Sequence, residues 1–334
     1  MPSLADQDAS DYADGVVAMG AKGGRPAPRG RMEDVRMTEV PPTETLRDRA
    51  VQIYDAFTHE HHDRRTLLRQ MTALAGSAAA AEALILGIAA SPAAAAITDP
   101  HDARLRIDRR EGMEAGARSA AYIVVPRDAK KRLGEMLVIH ENRGLTPHIE
   151  DVARRLALAG FRVTAPDLLA PQGGTPADED RARTLIGSLD YDQALAQARA
   201  MMAHAAADKA GTGRVGAVGF CWGGAFVNRL AVAAGPALAA GVAYYGPAPA
   251  PAEAAKVRAP LMLHYAGKDT RVNATGEPWV AALKAAGHPV EAFTYAGVDH
   301  AFNNDTSAER YNAAAATQAW ARTLGFLHRH LDHA

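Results

Sequence analysis

From Asp99 onward, short apolar runs alternate with longer amphipathic stretches. The runs 121–125, 135–140, 161–166, 215–220, 241–245, 261–265 and 290–295 are bounded by Gly, Pro and Asp and predict strands. Between most of them the apolar spacing lengthens to a helical period, predicting helices over 147–159, 182–209, 223–234, 277–286 and 308–330. Strand–helix alternation of this kind needs right-handed crossovers and a mostly parallel sheet covered on both faces. The expected architecture is therefore α/β in three layers. No fixed-period repeat argues for a solenoid.

The N-terminal third follows another pattern. Residues 1–44 are rich in Gly, Pro, Asp, Arg and Ala without sustained apolar periodicity, which predicts a disordered tail. Residues 43–57 have the spacing of a short helix. Arg64-Arg65-Thr66-Leu67-Leu68-Arg69 then opens an Ala/Leu run ending Ser91-Pro92-Ala93-Ala94-Ala95-Ala96. This resembles a twin-arginine export signal. Glu82 inside the apolar stretch and the long segment ahead of Arg64 support the other reading, an Ala-rich helical segment kept on the domain. The first predicts a periplasmic protein and the second a cytoplasmic one, and both stay open. No other stretch is long and apolar enough to span a membrane, so no stable membrane insertion of the mature domain is expected. The chain divides into a tail (1–44), a helical or signal-like segment (45–98) and a domain (99–334).

Charge and cysteine content narrow the chemistry. The 334 residues carry 37 Lys+Arg against 38 Asp+Glu, a formal net charge of -1. No overall field recruits nucleic acid. A single cysteine excludes an intramolecular disulfide framework and any cysteine-cluster metal site. His59-Glu60-His61-His62 is the one dense ligand-like cluster, but no second cluster completes four ligands, and an exposed polar loop is the expectation. Neither a dinucleotide fingerprint nor a nucleotide phosphate loop is present. No metal and no cofactor are expected.

The lone cysteine has informative neighbours. Val218-Gly219-Phe220-Cys221-Trp222-Gly223-Gly224 follows an apolar strand and precedes a helical pattern. On such a strand-to-helix elbow the nucleophile is strained, and the residues two before and two after, Gly219 and Gly223, have no room for a side chain. The helix N-terminus favours a thiolate, and the N–H of Trp222 can face an oxyanion. A thiol with a pKa of about 8.5 needs a base, and the base an orienting carboxylate. Asp269 after the strand 261–265 and His300 after the strand 290–295 supply these in the order nucleophile, acid, histidine. Asp299 is the rival acid, expected to project away from its neighbour His300.

With these motifs, and with His140-Glu141-Asn142-Arg143-Gly144 after an early strand, residues 100–334 resemble the dienelactone hydrolase (carboxymethylenebutenolidase) family of the α/β-hydrolase fold. The resemblance implies a small ester or lactone as substrate, cleaved through Cys221, His300 and Asp269 by way of a thioester. It also implies that Glu141 contacts the resting thiol and helps deprotonate it, and that the amide of Asn142 completes an oxyanion hole with Trp222. The alternative for Glu141 is a loop carboxylate paired to Arg143. The family holds a substrate carboxylate with arginines, one of them four residues past the catalytic histidine, where this chain has Asn304. The second arginine matches Arg181 or Arg183 in uncertain register, and the alternative for both is a solvated helix face. Asparagine cannot reproduce a bidentate guanidinium clamp, so an ester or lactone without that carboxylate is expected. The rival function is a binding or thiol redox-sensing protein on the same fold. Oligomeric state is not legible.

Overall fold

A computed structural model describes residues 44–59, 62–89 and 97–333. The expected tail, save Glu44, and the small-residue stretch 91–96 fall outside these residues. Eight strands form one sheet: β1 (Leu105–Glu114), β2 (Ala117–Pro126), β3 (Leu133–Ile139), β4 (Arg162–Pro166), β5 (Gly211–Phe220), β6 (Ala240–Tyr244), β7 (Leu261–Ala266) and β8 (Val290–Tyr295). Their order is β1-β2-β4-β3-β5-β6-β7-β8. The first two pairings are antiparallel and the rest parallel. The three-layer α/β architecture read from the sequence is the one observed.

Three helices of the N-terminal segment come first, α1 (Leu46–His59), α2 (Arg64–Ala75) and α3 (Ala78–Ile88). The sheet is then covered by α4 (Pro147–Leu158), α5 (Glu179–Gly187), α6 (Tyr191–Ala207), α7 (Trp222–Ala234), α8 (Thr270–Ala285) and α9 (Ala313–Leu331). Successive side chains of a strand point to opposite faces. Met136 and Val138 of β3 accordingly pack with Ile149 and Val152 of α4 and Phe326 of α9. Leu137 and Ile139 pack with Met202 of α6, Phe226 of α7 and Trp279 of α8. The chain winds outward in both directions from β3 and β5, so their carboxyl ends open the crevice where such sheets place their sites.

The sequence missed or misjoined a few elements. β1 is an edge strand whose charged side chains, Arg106, Arg109 and Arg110 among them, leave no apolar alternation to read. Such charges keep a sheet edge from pairing with another chain. It joins β2 through Ala115-Gly116, both at positive φ (48° and 81°), a two-residue turn without the usual Asn or Asp. The helix read over 182–209 is two helices, because Asp190 caps α6 through the N–H of Gln193. α8 begins at Thr270 rather than Glu277. Asp269 caps it, and Pro278 lies inside the helix instead of marking its start.

α1 opens with a reciprocal cap, Thr45 N–H to Asp48 and Asp48 N–H to Thr45 Oγ1, both 3.1 Å. The run opened by Arg64-Arg65 does not continue as one helix. Gly76 ends α2 at φ 79°, Ser77 caps α3, and the two helices bend by 111°. Among the described residues no single helix is long and apolar enough to cross a membrane. Val51, Tyr54, Phe57, Leu67, Met71, Ala81 and Ile88 make a small core for the three helices. The remaining face of this cap meets the carboxyl edge of the sheet.

Candidate active site

Cys221 stands between β5 and α7 at φ 55°, ψ −116°, a conformation that non-glycine residues adopt only under constraint. The glycines supply the constraint. A Cβ on Gly219 would lie 2.1 Å from the carbonyl oxygen of Gly223, and one on Gly223 would lie 2.4 Å from that of Ile139. The Cys221 N–H donates to Tyr244 O at 3.0 Å, tying the elbow to β6. Cys221 is 5% exposed, and it sits at the N-terminus of α7.

Across the crevice Nδ1 of His300 donates to Oδ2 of Asp269 at 2.5 Å, and Oδ1 of Asp269 accepts the N–H of Val272 at 3.1 Å. One carboxylate thus caps α8 and orients the imidazole. The rival, Asp299, pairs instead with Arg47 at 2.9 Å. Burial works to lower the pKa of His300, but the charges of Asp269 and Cys221 outweigh it and raise it above the ordinary value. Burial works to raise Asp269, and His300 with the Val272 N–H holds it below its usual range. Tyr245, buried at the end of β6 with φ 36°, packs edge-on to His300 with ring centroids 5.0 Å apart.

The loop after β3 is fixed from beneath. Leu168 N–H donates to Nε2 of His140 at 3.2 Å, so Nδ1 carries the proton and donates to Glu141 O at 2.8 Å. Burial keeps this imidazole below its ordinary pKa and so neutral. Glu141 is not paired to Arg143. Its Oε2 accepts from Nδ2 of Asn304 at 2.9 Å, while Arg143 bonds Tyr54 and Glu179. Asn304, in place of a clamp arginine, is therefore a partner of Glu141. Its Oδ1 also accepts from the N–H and hydroxyl of Thr306. Trp222 stacks on His140 at 5.6 Å.

A cavity of about 760 Å³ leads to Cys221 and Trp222, lined also by Asn142, Arg183, Tyr191 and Arg271. Arg181 is exposed and does not line it. Arg183 lies over the ring of Phe57 and pairs with Asp180, which also holds Arg64 at 3.2 Å. Arg271, which sequence reasoning did not single out, has no salt-bridge partner among the described residues. It follows Asp269 on the first turn of α8.

The largest departure from the sequence reading is His59. Expected on an exposed polar loop, it ends α1 with Nε2 3.9 Å from Sγ of Cys221 and its ring 4.7 Å from that of His300. Burial and then the charges of His300 and Arg271 hold this imidazole well below its ordinary pKa, hence neutral. Its placement depends on how α1 docks. Lys268 pairs with Asp48 at 2.6 Å, Arg310 with Asp55 at 3.2 Å, and Asn142 Nδ2 donates to Thr58 O at 3.2 Å. At the far end of the cap Ser307 Oγ donates to Ile88 O at 2.6 Å. Only the density of histidines at 59–62 signalled this position.

Residues 119–331 match the model of the dienelactone hydrolase family. A candidate carboxymethylenebutenolidase of Escherichia coli (strain K12) is 32% identical over 251 residues, covering 71% of this chain and 92% of its own. One from Methylorubrum extorquens is 32% identical over 279 residues, covering 77% and 92%. Among solved structures, a candidate dienelactone hydrolase from Klebsiella pneumoniae superposes with a TM-score of 0.61 at 30% identity, over 66% of this chain and 97% of that one. The chain belongs to the dienelactone hydrolase family of α/β-hydrolases and is an enzyme of the ester and lactone hydrolase class.

Proposed function

We propose that Cys221, His300 and Asp269 cleave a small ester or lactone by covalent catalysis. The thiolate of Cys221 attacks the carbonyl carbon, and the N–H groups of Trp222 and Asn142 stabilise the oxyanion. As the carbon–oxygen bond breaks, His300 delivers its proton to the leaving alkoxide. The neutral imidazole then takes a proton from water, whose oxygen displaces the thiol and releases the acid. Asp269 keeps Nδ1 protonated, so that Nε2 faces the reacting atoms. The observation that carries this reading is the His300–Asp269 pair set against a strained cysteine elbow, with sulfur and imidazole nitrogen within 4.8 Å. A thiolate suits an activated ester or enol-lactone, whose leaving group needs little protonation, and makes peptide cleavage a poor fit.

Glu141 fits a role as reversible partner of the thiol proton, oriented by Asn304. With that amide committed to Glu141 and Arg183 paired with Asp180, Arg271 is the lining arginine best placed to meet a substrate carboxylate. The test is the hydrolysis rate of an aryl acetate, a neutral lactone and dienelactone for wild type and Cys221→Ala. Wild-type turnover of the neutral compounds with an inactive Cys221→Ala supports the reading, and a wild type inert on all three refutes it. Dienelactone turnover lost on Arg271→Gln would assign the carboxylate to Arg271.

A further inference from the structure

We propose that His59, Cys221 and His300 bind a single borderline-soft divalent cation, zinc by chemistry, in a site that the N-terminal cap completes across the active-site cysteine. The sulfur, Nε2 of His59 and a ring nitrogen of His300 all lie within 4.8 Å of one another. Since Asp269 occupies Nδ1 of His300, the atom left to bind is Nε2, which interacts with Cys221 in a residue only 3% exposed.

The three side chains line a gap of about 10 Å³ whose charged border is Glu141, Arg143 and Arg310, with Asn142 beside them. A space of that size is at the lower limit for one water and far below the needs of an ester. Tetrahedral zinc, with about 2.3 Å to sulfur and 2.0–2.1 Å to nitrogen, puts its ligand atoms roughly 3.5 Å apart. The observed spread is wider by an amount that side-chain torsions can close. One thiolate and two imidazoles select zinc-like ions over magnesium or calcium. Asp269 on His300 is the outer carboxylate that orients metal-bound histidines. Glu141, on the same gap, or a water supplies a fourth ligand.

Coordination breaks no covalent bond except S–H and N–H: the thiol proton and any proton on Nε2 of His300 leave to solvent. Bound metal would occupy both the nucleophile and the base, so zinc would reversibly silence hydrolysis. That consequence rests on the function proposed above, whereas the binding does not. The cluster noticed at 59–62 thus contributes one ligand, His59, to a set assembled from distant parts of the chain.

The experiment titrates the metal-free full chain with Co(II), reading the thiolate-to-cobalt charge-transfer band, and in parallel measures hydrolysis of an aryl acetate against added zinc. The expected result is a one-to-one band in wild type, its loss in Cys221→Ser, and at least about tenfold weaker binding in both His59→Ala and His59→Gln. The zinc concentration that halves the rate should rise by the same factor in the two His59 variants, and a chelator should restore the wild-type rate. Absence of a thiolate band at stoichiometric cobalt overturns the proposal. So does equal zinc sensitivity in wild type and both variants, since a thiol that takes up metal unaided does not need the cap. A wild type that shows the band but hydrolyses nothing would sink the catalytic reading and leave the metal site standing.

Discussion

The elbow beneath Cys221 and the cap above it are held by different physics. Around the elbow the constraint is hard contact: backbone lies within 2.1 to 2.4 Å of where a side chain on Gly219 or Gly223 would start. The cap has a small core of its own and reaches the body through polar ties, Arg47–Asp299, Asp48–Lys268, Asp55–Arg310 and Tyr54–Arg143. Three of these ties land beside a residue of the site in sequence, where Asp299 precedes His300, Lys268 precedes Asp269 and Arg143 follows Glu141 by two; the fourth, Arg310, borders the gap at Cys221. Steric constraint fixes a backbone whatever the conditions, whereas charge pairs fix a position only while both partners are charged and in place. The nucleophile is therefore built into the fold, and its cover is conditional.

The sharpest break of this contrast uses two glycines. Gly219→Ala puts a methyl group into backbone that cannot move away, and should cost about 3 kcal/mol or more, or prevent folding. Gly76→Ala, at the α2–α3 turn, violates a positive φ (79°), which Gly219 does not have, but meets nothing within 4 Å. It should cost only about 1 kcal/mol, the left-handed penalty alone. Urea denaturation of both variants checks the ordering, and equal losses would mean that packing around the elbow is not what fixes it.

A middle-sized effect is expected where the cap meets the body. Arg310 is 5% exposed, pairs with Asp55 and lies over the ring of Tyr54 at 5.3 Å. Arg310→Ala leaves a mostly buried carboxylate on α1 without its partner, a cost of roughly 2 kcal/mol to docking. The folded body should persist while Cys221 becomes easier to reach, so thiol alkylation should accelerate by roughly thirtyfold, with little change in the main unfolding transition. An unchanged alkylation rate would show that the cap does not control access to the sulfur.

The same division explains what was legible in the chain. Strand 261–265 could be read as an unbroken apolar run because both of its faces are buried, and helix 223–234 because burial on one face imposes a period on sequence. The elbow could be read because contact forces glycine at fixed offsets from Cys221. β1 could not, since beyond Leu105 and Ile107 nearly all of this edge strand is exposed and charged and carries no apolar period. The destination of His59 could not either. Nothing local to Thr58-His59 encodes a sulfur 162 positions away, and only the docking of α1, set by partners such as Lys268 and Arg310, brings the two together. Asn304 is a similar case: at a position where the resemblance led one to expect a substrate contact, its bond to Glu141 exists only once two distant loops meet.

The smallest predicted effect concerns one of those conditional ties. The hydrogen bond from Lys268, with those from Thr45, holds the Asp48 carboxyl well below the ordinary aspartate value of 3.8. Because its folded pKa is depressed, the unfolded chain binds the proton more readily. The pair's contribution is therefore complete above about pH 4, begins to decline below the unfolded value and is lost only as the pH falls through the depressed folded value. The partners are partly open to solvent, Lys268 by 38% and Asp48 by 18%, so the gain should be below about 1 kcal/mol and shrink in salt. Asp48→Asn should accordingly lower cap stability at pH 7, judged by limited proteolysis of the α1 segment, with a deficit that shrinks only as the pH falls toward the depressed folded value. A variant deficit that persisted undiminished in acid or in high salt would assign the loss to the reciprocal cap with Thr45 rather than to the charge pair. It would then make this end of α1 as insensitive to conditions as the elbow it covers.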